Sequence, residues 1–400
     1  MTDSAGLSRN PLSVFLIFLR LGLTSFGGPI AHLGYFREEF VQRRQWLSER
    51  SYADLVALCQ FLPGPASSQV GIALGLSRAG YAGAVAAWAG FTLPSAVALI
   101  LFALGIANYG EVVPYGVLQG LKVVAVAVVA QAVWGMARNL CPDTPRISIM
   151  AGATCFVLSI PSAWGQLGAI FGAAIIGLFM FKPESPESHD ELPIPVRRRV
   201  GLCWIALFFA VLLGLSAASV LIPSHILALV DSFFRAGSLV FGGGHVVLPL
   251  LQAEVVAPGW ISNDAFLAGY GAAQAIPGPL FSFAAFLGAS MTQSPTGWSG
   301  GIICLLAVFA PSFMLLVGAL PFWENLRCNT RMQAALMGIN AAVVGILLAA
   351  LYQPVWTSAI LDARDFGLAL VALIALVFWK LPPWFVVIAS GCVGGLLGLA

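Results

Sequence analysis

Arg20-Leu-Gly-Leu-Thr-Ser-Phe-Gly-Gly28 returns later in the chain as Arg235-Ala-Gly-Ser-Leu-Val-Phe-Gly-Gly243. Downstream, Gln60-Phe-Leu-Pro-Gly-Pro65 is answered by Gln274-Ala-Ile-Pro-Gly-Pro279. The offsets are 215 and then 214, so the two copies are collinear. Between the motifs Trp46-Leu-Ser48 pairs with Trp260-Ile-Ser262, and beyond them Pro94-Ser95 pairs with Pro311-Ser312. A duplicated apolar unit with glycine and proline breaks at matching places reads as a transporter whose binding site lies between the copies.

Composition sets the solvent. Apolar residues make up 59% of the 400, charged residues only 9%, and the mean hydropathy is +0.92. A soluble domain carries about 25% charge, so this chain belongs in a bilayer. The net charge of +2 and the absence of a basic face exclude a nucleic-acid partner. The seven cysteines are scattered singly, without CxxC or CxxH, so neither a disulfide framework nor a metal site is expected. No cofactor motif is present. The polar start, Met1 to Pro11, lacks the small-residue cleavage site of a secretory signal. Insertion is expected to rely on the first apolar segment.

The fold class expected is an all-α polytopic membrane protein of two inverted-topology repeats with broken or re-entrant helices. The hydrophilic stretch 182–199, KPESPESHDELPIPVRRR, separates a first repeat, 1–181, from a second, 200–400. Broken segments are expected near 12–42 and 52–77, with counterparts near 226–256 and 266–290. Plain spans follow near 80–104, 116–137, 147–163 and 165–181, matched near 298–320, 333–352, 366–380 and 383–400. A span at 200–222 has no partner.

Loop charge gives the orientation. The loop 37–50 carries Arg37, Arg43, Arg44 and Arg50, whereas its counterpart 252–265 has no Lys or Arg. The loop 105–118 has none, whereas 321–333 carries Arg327 and Arg331. Arg138 and Arg146 flank a loop whose counterpart 353–363 again has none. Positive loops stay cytoplasmic, so the alternation turns one copy upside down and makes 182–199 a cytoplasmic linker. Parity then asks 226–256 and 52–77 to enter and leave on one face, as hairpins turning at Gly242-Gly243-Gly244 and Pro63-Gly64-Pro65. Full spans with weaker obedience to the charge rule are the alternative.

A helix broken inside a membrane exposes the first N–H groups of its second half, which with the aligned peptide dipoles attract an anion. Phe26-Gly27-Gly28-Pro29 and Pro63-Gly64-Pro65 fit this, with Ser67 and Ser68 adding hydroxyls. Phe241-Gly242-Gly243 and Pro277-Gly278-Pro279 repeat it, with Ser282 matching Ser68. The bland reading is kinks that permit close packing. Arg20 and Arg235 precede each Phe-Gly-Gly by six residues inside apolar runs and could grip an oxyanion, or snorkel to the interface. Lys122, where the second copy has Asn340, offers the same choice. Gln60 and Gln274 bind substrate or cap the exposed backbone. Glu39, Asp54, Glu254 and Asp264 are proton-carrier candidates, or solvated charges. His245 follows a glycine tip and titrates near neutrality if free. Only four histidines exist, at 32, 189, 225 and 245, without metal spacing, which disfavours a lipid-modifying membrane enzyme.

FGGP followed by Q-x-x-PGP in a two-halved chain of this length resembles the chromate ion transporter family in its long, two-domain form. The resemblance covers nearly the whole chain. It implies a non-enzymatic bacterial inner-membrane protein that exports chromate, with sulfate competing or exchanging, driven by the membrane potential or proton gradient. It carries a substrate-path role to Phe26, Gly27, Gly28, Pro29, Gln60, Pro63, Gly64 and Pro65. The second copy departs in having Gly244 and His245 where the first has Pro29 and Ile30. A carrier of another oxyanion, an anion channel and a homodimer all stay open at this point. Arg20→Gln is expected to weaken transport without affecting insertion.

Overall fold

The structure is a computed structural model that describes residues 10–109, 114–183, 196–241 and 243–398. The first nine residues, the middle of the linker and Gly242 lie outside that range, with the expectations attached to them. Among the described residues the regular structure is helical. Six helices or helical runs are long and apolar enough to cross a membrane.

The first copy opens with α1 (Pro11–Thr24) and α2 (Gly28–Phe36), the latter running into a π-helical turn at Arg37–Arg43. Then come α3 (Glu49–Phe61), α4 (Ala66–Tyr109), α5 (Tyr115–Leu140), α6 (Thr144–Ser159) and α7 (Ala163–Met180). After the linker stands α8 (Arg198–Leu221). The second copy has α9 (His225–Ser238), α10 (Val247–Val255), α11 (Asn263–Ala273), α12 (Phe283–Ala289) and α13 (Gly297–Ala319). It closes with α14 (Thr330–Ala350), α15 (Ala363–Val377) and α16 (Pro383–Leu397). The order matches copy to copy, with one difference. Where the second copy breaks between α12 and α13, the first keeps one 44-residue helix, α4, kinked at Ala79–Gly80. The segments expected near 52–77 and 80–104 are therefore joined through that kink.

Local chemistry explains why the copies start and stop together. Ser48 accepts a hydrogen bond from the Ser51 N–H at the start of α3, and Ser262 does the same for Ala265 at α11. The repeated Trp-x-Ser is thus an N-cap, worth about 1 kcal/mol at each site. Asp143 and Asp362 cap α6 and α15 in the same way. The breaks fall where only glycine is comfortable: φ is +101° at Gly27, +77° at Gly28, +124° at Gly64 and +112° at Gly278.

Each broken segment folds back as a helical hairpin. On α1, Phe18 lies 5.6 Å from Phe36 and 5.0 Å from Phe40 between ring centroids, across the tip at 25–27. A continuous broken span would hold these rings far apart. In the second copy Arg235 on α9 reaches Glu254 on α10, and Phe266 on α11 meets Phe283 on α12 at 5.2 Å. The 14 residues of α1 span only ~21 Å at 1.5 Å each, short of the ~30 Å hydrocarbon core.

The copies embrace reciprocally. α5 packs on α15 and α16 of the other copy, while its counterpart α14 packs on α6 and α7. The contacts repeat at residue level. A Cβ on Gly177 would strike the Ala334 carbonyl oxygen, and one on Gly394 would strike that of Gly116. Gly338 sits equally close to Ala173, and Gly120 to Ser390. Small residues here let backbones approach, the usual device for helix association where lipid removes the hydrophobic drive. α5 is the central helix, with 72% of its most apolar window buried, whereas α8 has 11% and stands at the periphery.

Candidate functional site

The four hairpin tips meet at the interface between the copies. Gly64 N–H donates to the Val240 carbonyl at 2.7 Å, and Gly278 N–H donates to the Ser25 carbonyl at 3.1 Å. These are matching bonds: the second hairpin of each copy ties to the break in the first hairpin of the other. Carbonyl groups left over at the ends of α1 and α9 are thereby satisfied. Each tip is also backed by the serine of a repeated Pro-Ser. A Cβ on Gly64 would collide with Ser312 Oγ, and one on Gly278 would lie 2.8 Å from Ser95 Oγ. The copies differ in one respect. Ser95 and Ser282 share a hydrogen bond of 2.7 Å, whereas the buried hydroxyls of Ser68 and Ser312 have no partner among the described residues.

Between the tips lies a cavity of about 700 Å³. Gly27, Gly28 and Pro29 form one wall, Gln60 and Gly64 the next. Gly243, Gly244 and His245 face them with Gln274 and Gly278. α5 adds Gln131, Gly135 and Asn139, and α14 adds Asn340. This volume falls within the usual range for ligand sites. Among the described residues no Asp, Glu, Lys or Arg lines it. Its polar equipment is amide, imidazole and backbone. Gln274 Nε2 and Asn340 Oδ1 are buried and find no partner among the described residues. Such groups cost roughly 1–3 kcal/mol each unless something meets them.

Several expected site residues stand back from the cavity. Arg20 is exposed, because the buried face of α1 is set by Val14, Phe18, Leu21 and Gly22. Arg235 is held by Asp231 at 2.8 Å and Glu254 at 2.6 Å. Lys122 is buried against Asp264 at 3.1 Å and beside the Tyr115 ring. Phe26 packs near Trp384, and Phe241 packs on the hydrophobic core that both copies share. Pro63, through its carbonyl, holds Gln69 Nε2 at 2.9 Å. Ser67 lies buried beside His32, Ser68 is buried nearby, and Pro65, Pro277 and Pro279 shape the tips without facing the space. Of the acidic candidates, Glu39 is bound by Arg43 and Arg44, Glu254 by Arg235 and Asp264 by Lys122.

The α5 contribution escaped the motif reading. Gln131, Gly135 and Asn139 recur every four residues on one face of a mostly apolar helix, two amides and a glycine at helical spacing. That spacing was the available signal. Cys59 and Met136 also face the cavity.

No solved structure matches the chain. A probable chromate transport protein from Synechococcus elongatus is 28% identical, over 93% of this chain and 92% of its own. Chromate transport proteins from Pseudomonas aeruginosa and Cupriavidus metallidurans are 28% and 26% identical. They are covered over 78% and 91% of their lengths, and cover 84% and 95% of this chain. The family model for chromate transporters matches residues 12–178 and again 227–395. This multi-pass, all-helical membrane protein belongs to the chromate transporter family and is a transporter, not an enzyme.

Proposed function

We propose that the protein exports chromate from the cytoplasm across the bacterial inner membrane, by alternating access at the cavity between two inverted copies. The observation that carries this reading is the convergence of four glycine-broken hairpins on one cavity lined by amides and without a fixed countercharge. A tetrahedral dianion is met there by helix N-termini and by Gln60, Gln274 and Asn340, which can turn donors inward. Sulfate has the same shape and charge and is expected to compete.

The absence of a lining Lys or Arg suits a carrier. Strong ionic anchoring would hold the anion in the site, whereas dipoles and neutral donors bind it and let it go. The tips are tied by two matching bonds, and rocking of inverted copies would open them in turn, one towards each face. The Arg-rich loop at 37–50 supports placing that end of the first copy inside. Each chain holds a whole cavity, so a homodimer would carry two.

The test is uptake of radiolabelled chromate into proteoliposomes, with and without an imposed potential and excess sulfate. Saturable, potential-sensitive uptake that sulfate blocks is the expected result. Folded protein that moves chromate under no gradient would dismiss it.

A further inference from the structure

His245 is, with the thiol of Cys59, the only titratable side chain lining the cavity among the described residues. It stands in the short helical turn Gly244–Val246 that opens α10. Its Nδ1 lies 2.8 Å from the hydroxyl of Tyr270 on α11. Tyr270 is fully buried among Phe266, Phe283 and Phe286. A phenol both donates and accepts, so it partners the ring nitrogen in either protonation state. The imidazole can therefore gain or lose a proton without losing that bond, and Nε2 is the nitrogen Tyr270 leaves free for the cavity.

The internal duplication isolates the pair. By the register of the two copies, His245 corresponds to Ile30 and Tyr270 to Val56. Both partners are polar in one copy and both are apolar in the other. The first copy also has a buried histidine at its tip, at a different position: His32 meets the Ser25 carbonyl at 3.2 Å and the Ser67 hydroxyl at 3.5 Å and stands back from the cavity. Among the described residues, the imidazole that lines the space therefore comes from the second copy.

The surroundings leave the charge balance to this group. The charged residues on α10 and the neighbouring α9, Glu254, Arg235 and Asp231, are bonded to one another. From α11, the tyrosine hydroxyl is the titratable group in contact, with Asp264 at the far end of the helix paired to Lys122. α14 brings Asn340, the turn at Leu280–Ser282 brings Leu280, α5 brings Met136, and the first-copy tip brings Pro29. None of these carries charge. A dianion entering such a space gives up water for helix N-termini and neutral donors, and a proton held at the imidazole only while the anion is bound adds a positive charge without a permanent anchor.

We propose that His245 is the proton site of the carrier: it takes up one proton as the oxyanion binds, and Tyr270 holds the ring through the change. Anion and proton cross together, so the loaded cavity carries one negative charge fewer than the anion alone. This deepens the transport reading above and rests on it. By linkage, one proton per anion makes the affinity fall about tenfold for each unit of pH rise through the range where the free site is neutral.

The test is the number of protons taken up when chromate binds the purified protein, measured in weakly buffered detergent solution for wild type and His245→Gln. Chromate affinity is followed across neutral pH in parallel. Expected are about one proton per chromate and a tenfold fall per pH unit for wild type. His245→Gln should show no proton uptake and an affinity that is weaker than wild type below neutral pH and flat with pH. Should His245→Gln not fold, His245→Asn is read the same way. Uptake that persists in the variants overturns the proposal, since the proton then rides on the anion or another group. Binding without uptake in wild type overturns it too. A wild type that neither binds nor exchanges chromate contradicts the transport reading itself.

Discussion

Gln274 decides most at the residue scale. Its Nε2 is a buried donor without a partner among the described residues, on a side chain that lines the cavity between the copies. A hydrogen bond to an anion contributes about 1.5–3 kcal/mol. Gln274→Leu is therefore expected to weaken chromate binding roughly 10- to 150-fold while leaving thermal unfolding unchanged, because no internal bond is lost. Titration of tryptophan fluorescence with chromate reads the first, and a melting curve the second. Equal affinity in variant and wild type would remove Gln274 from the site. The arginines behave differently. Both copies place Arg six residues before the Phe-Gly-Gly, yet Arg20 is exposed and Arg235 is enclosed by carboxylates. The sequence marks both as costly in a membrane but does not reveal the phase of the helix carrying them. Nor does it show that Asp231, which stands where the first copy has Leu16, is the partner that holds one of them. Arg20→Gln is now expected to leave chromate affinity near that of wild type in the same titration, because the side chain does not line the cavity.

At the scale of elements, the hairpin tip is the unit of function. Gly64 combines φ of +124° with a Cβ position that falls onto Ser312. Gly64→Ala must strain the backbone by about 1–3 kcal/mol and push the first-copy tip off its Val240 partner. The expected outcome is a lower melting temperature and loss of chromate uptake. Gly34→Ala, where a Cβ meets nothing within 4 Å, is the control that keeps both. An intact Gly64→Ala would show that the tip is free to move apart. These breaks were legible because Gly and Pro mark them in both copies, and the Trp-x-Ser caps were visible as a repeat. The polar face of α5 was not, since a long apolar helix buried on most sides does not declare which side meets a cavity. The joining of α3's partner arm to the following span through the kink at Ala79–Gly80 was also hidden, because Ser77, Arg78 and Gly80 interrupt the hydropathy there and read as a break between two segments.

The whole molecule is two copies that exchange helices, with α5 and α14 each held by the last two helices of the other half. If the copies are inverted, matching residues face opposite sides of the membrane. In a background without the seven native cysteines, Ser48→Cys is expected to react with an impermeant maleimide only from the cytoplasmic face. Ser262→Cys should react only from the outer face. Labelling of both from one face would make the copies parallel and remove the basis for symmetric rocking. An alternating carrier also binds its anion on one side at a time, whereas a channel connects both.

Chromate counterflow tests that most directly. Liposomes holding the protein are loaded with unlabelled chromate, diluted into trace labelled chromate, and clamped at zero potential. A carrier must return with anion bound, so labelled chromate should transiently accumulate above its equilibrium level and then decline. Labelled chromate that rises to equilibrium without overshoot, at a rate indifferent to the internal load, would contradict alternating access at the cavity.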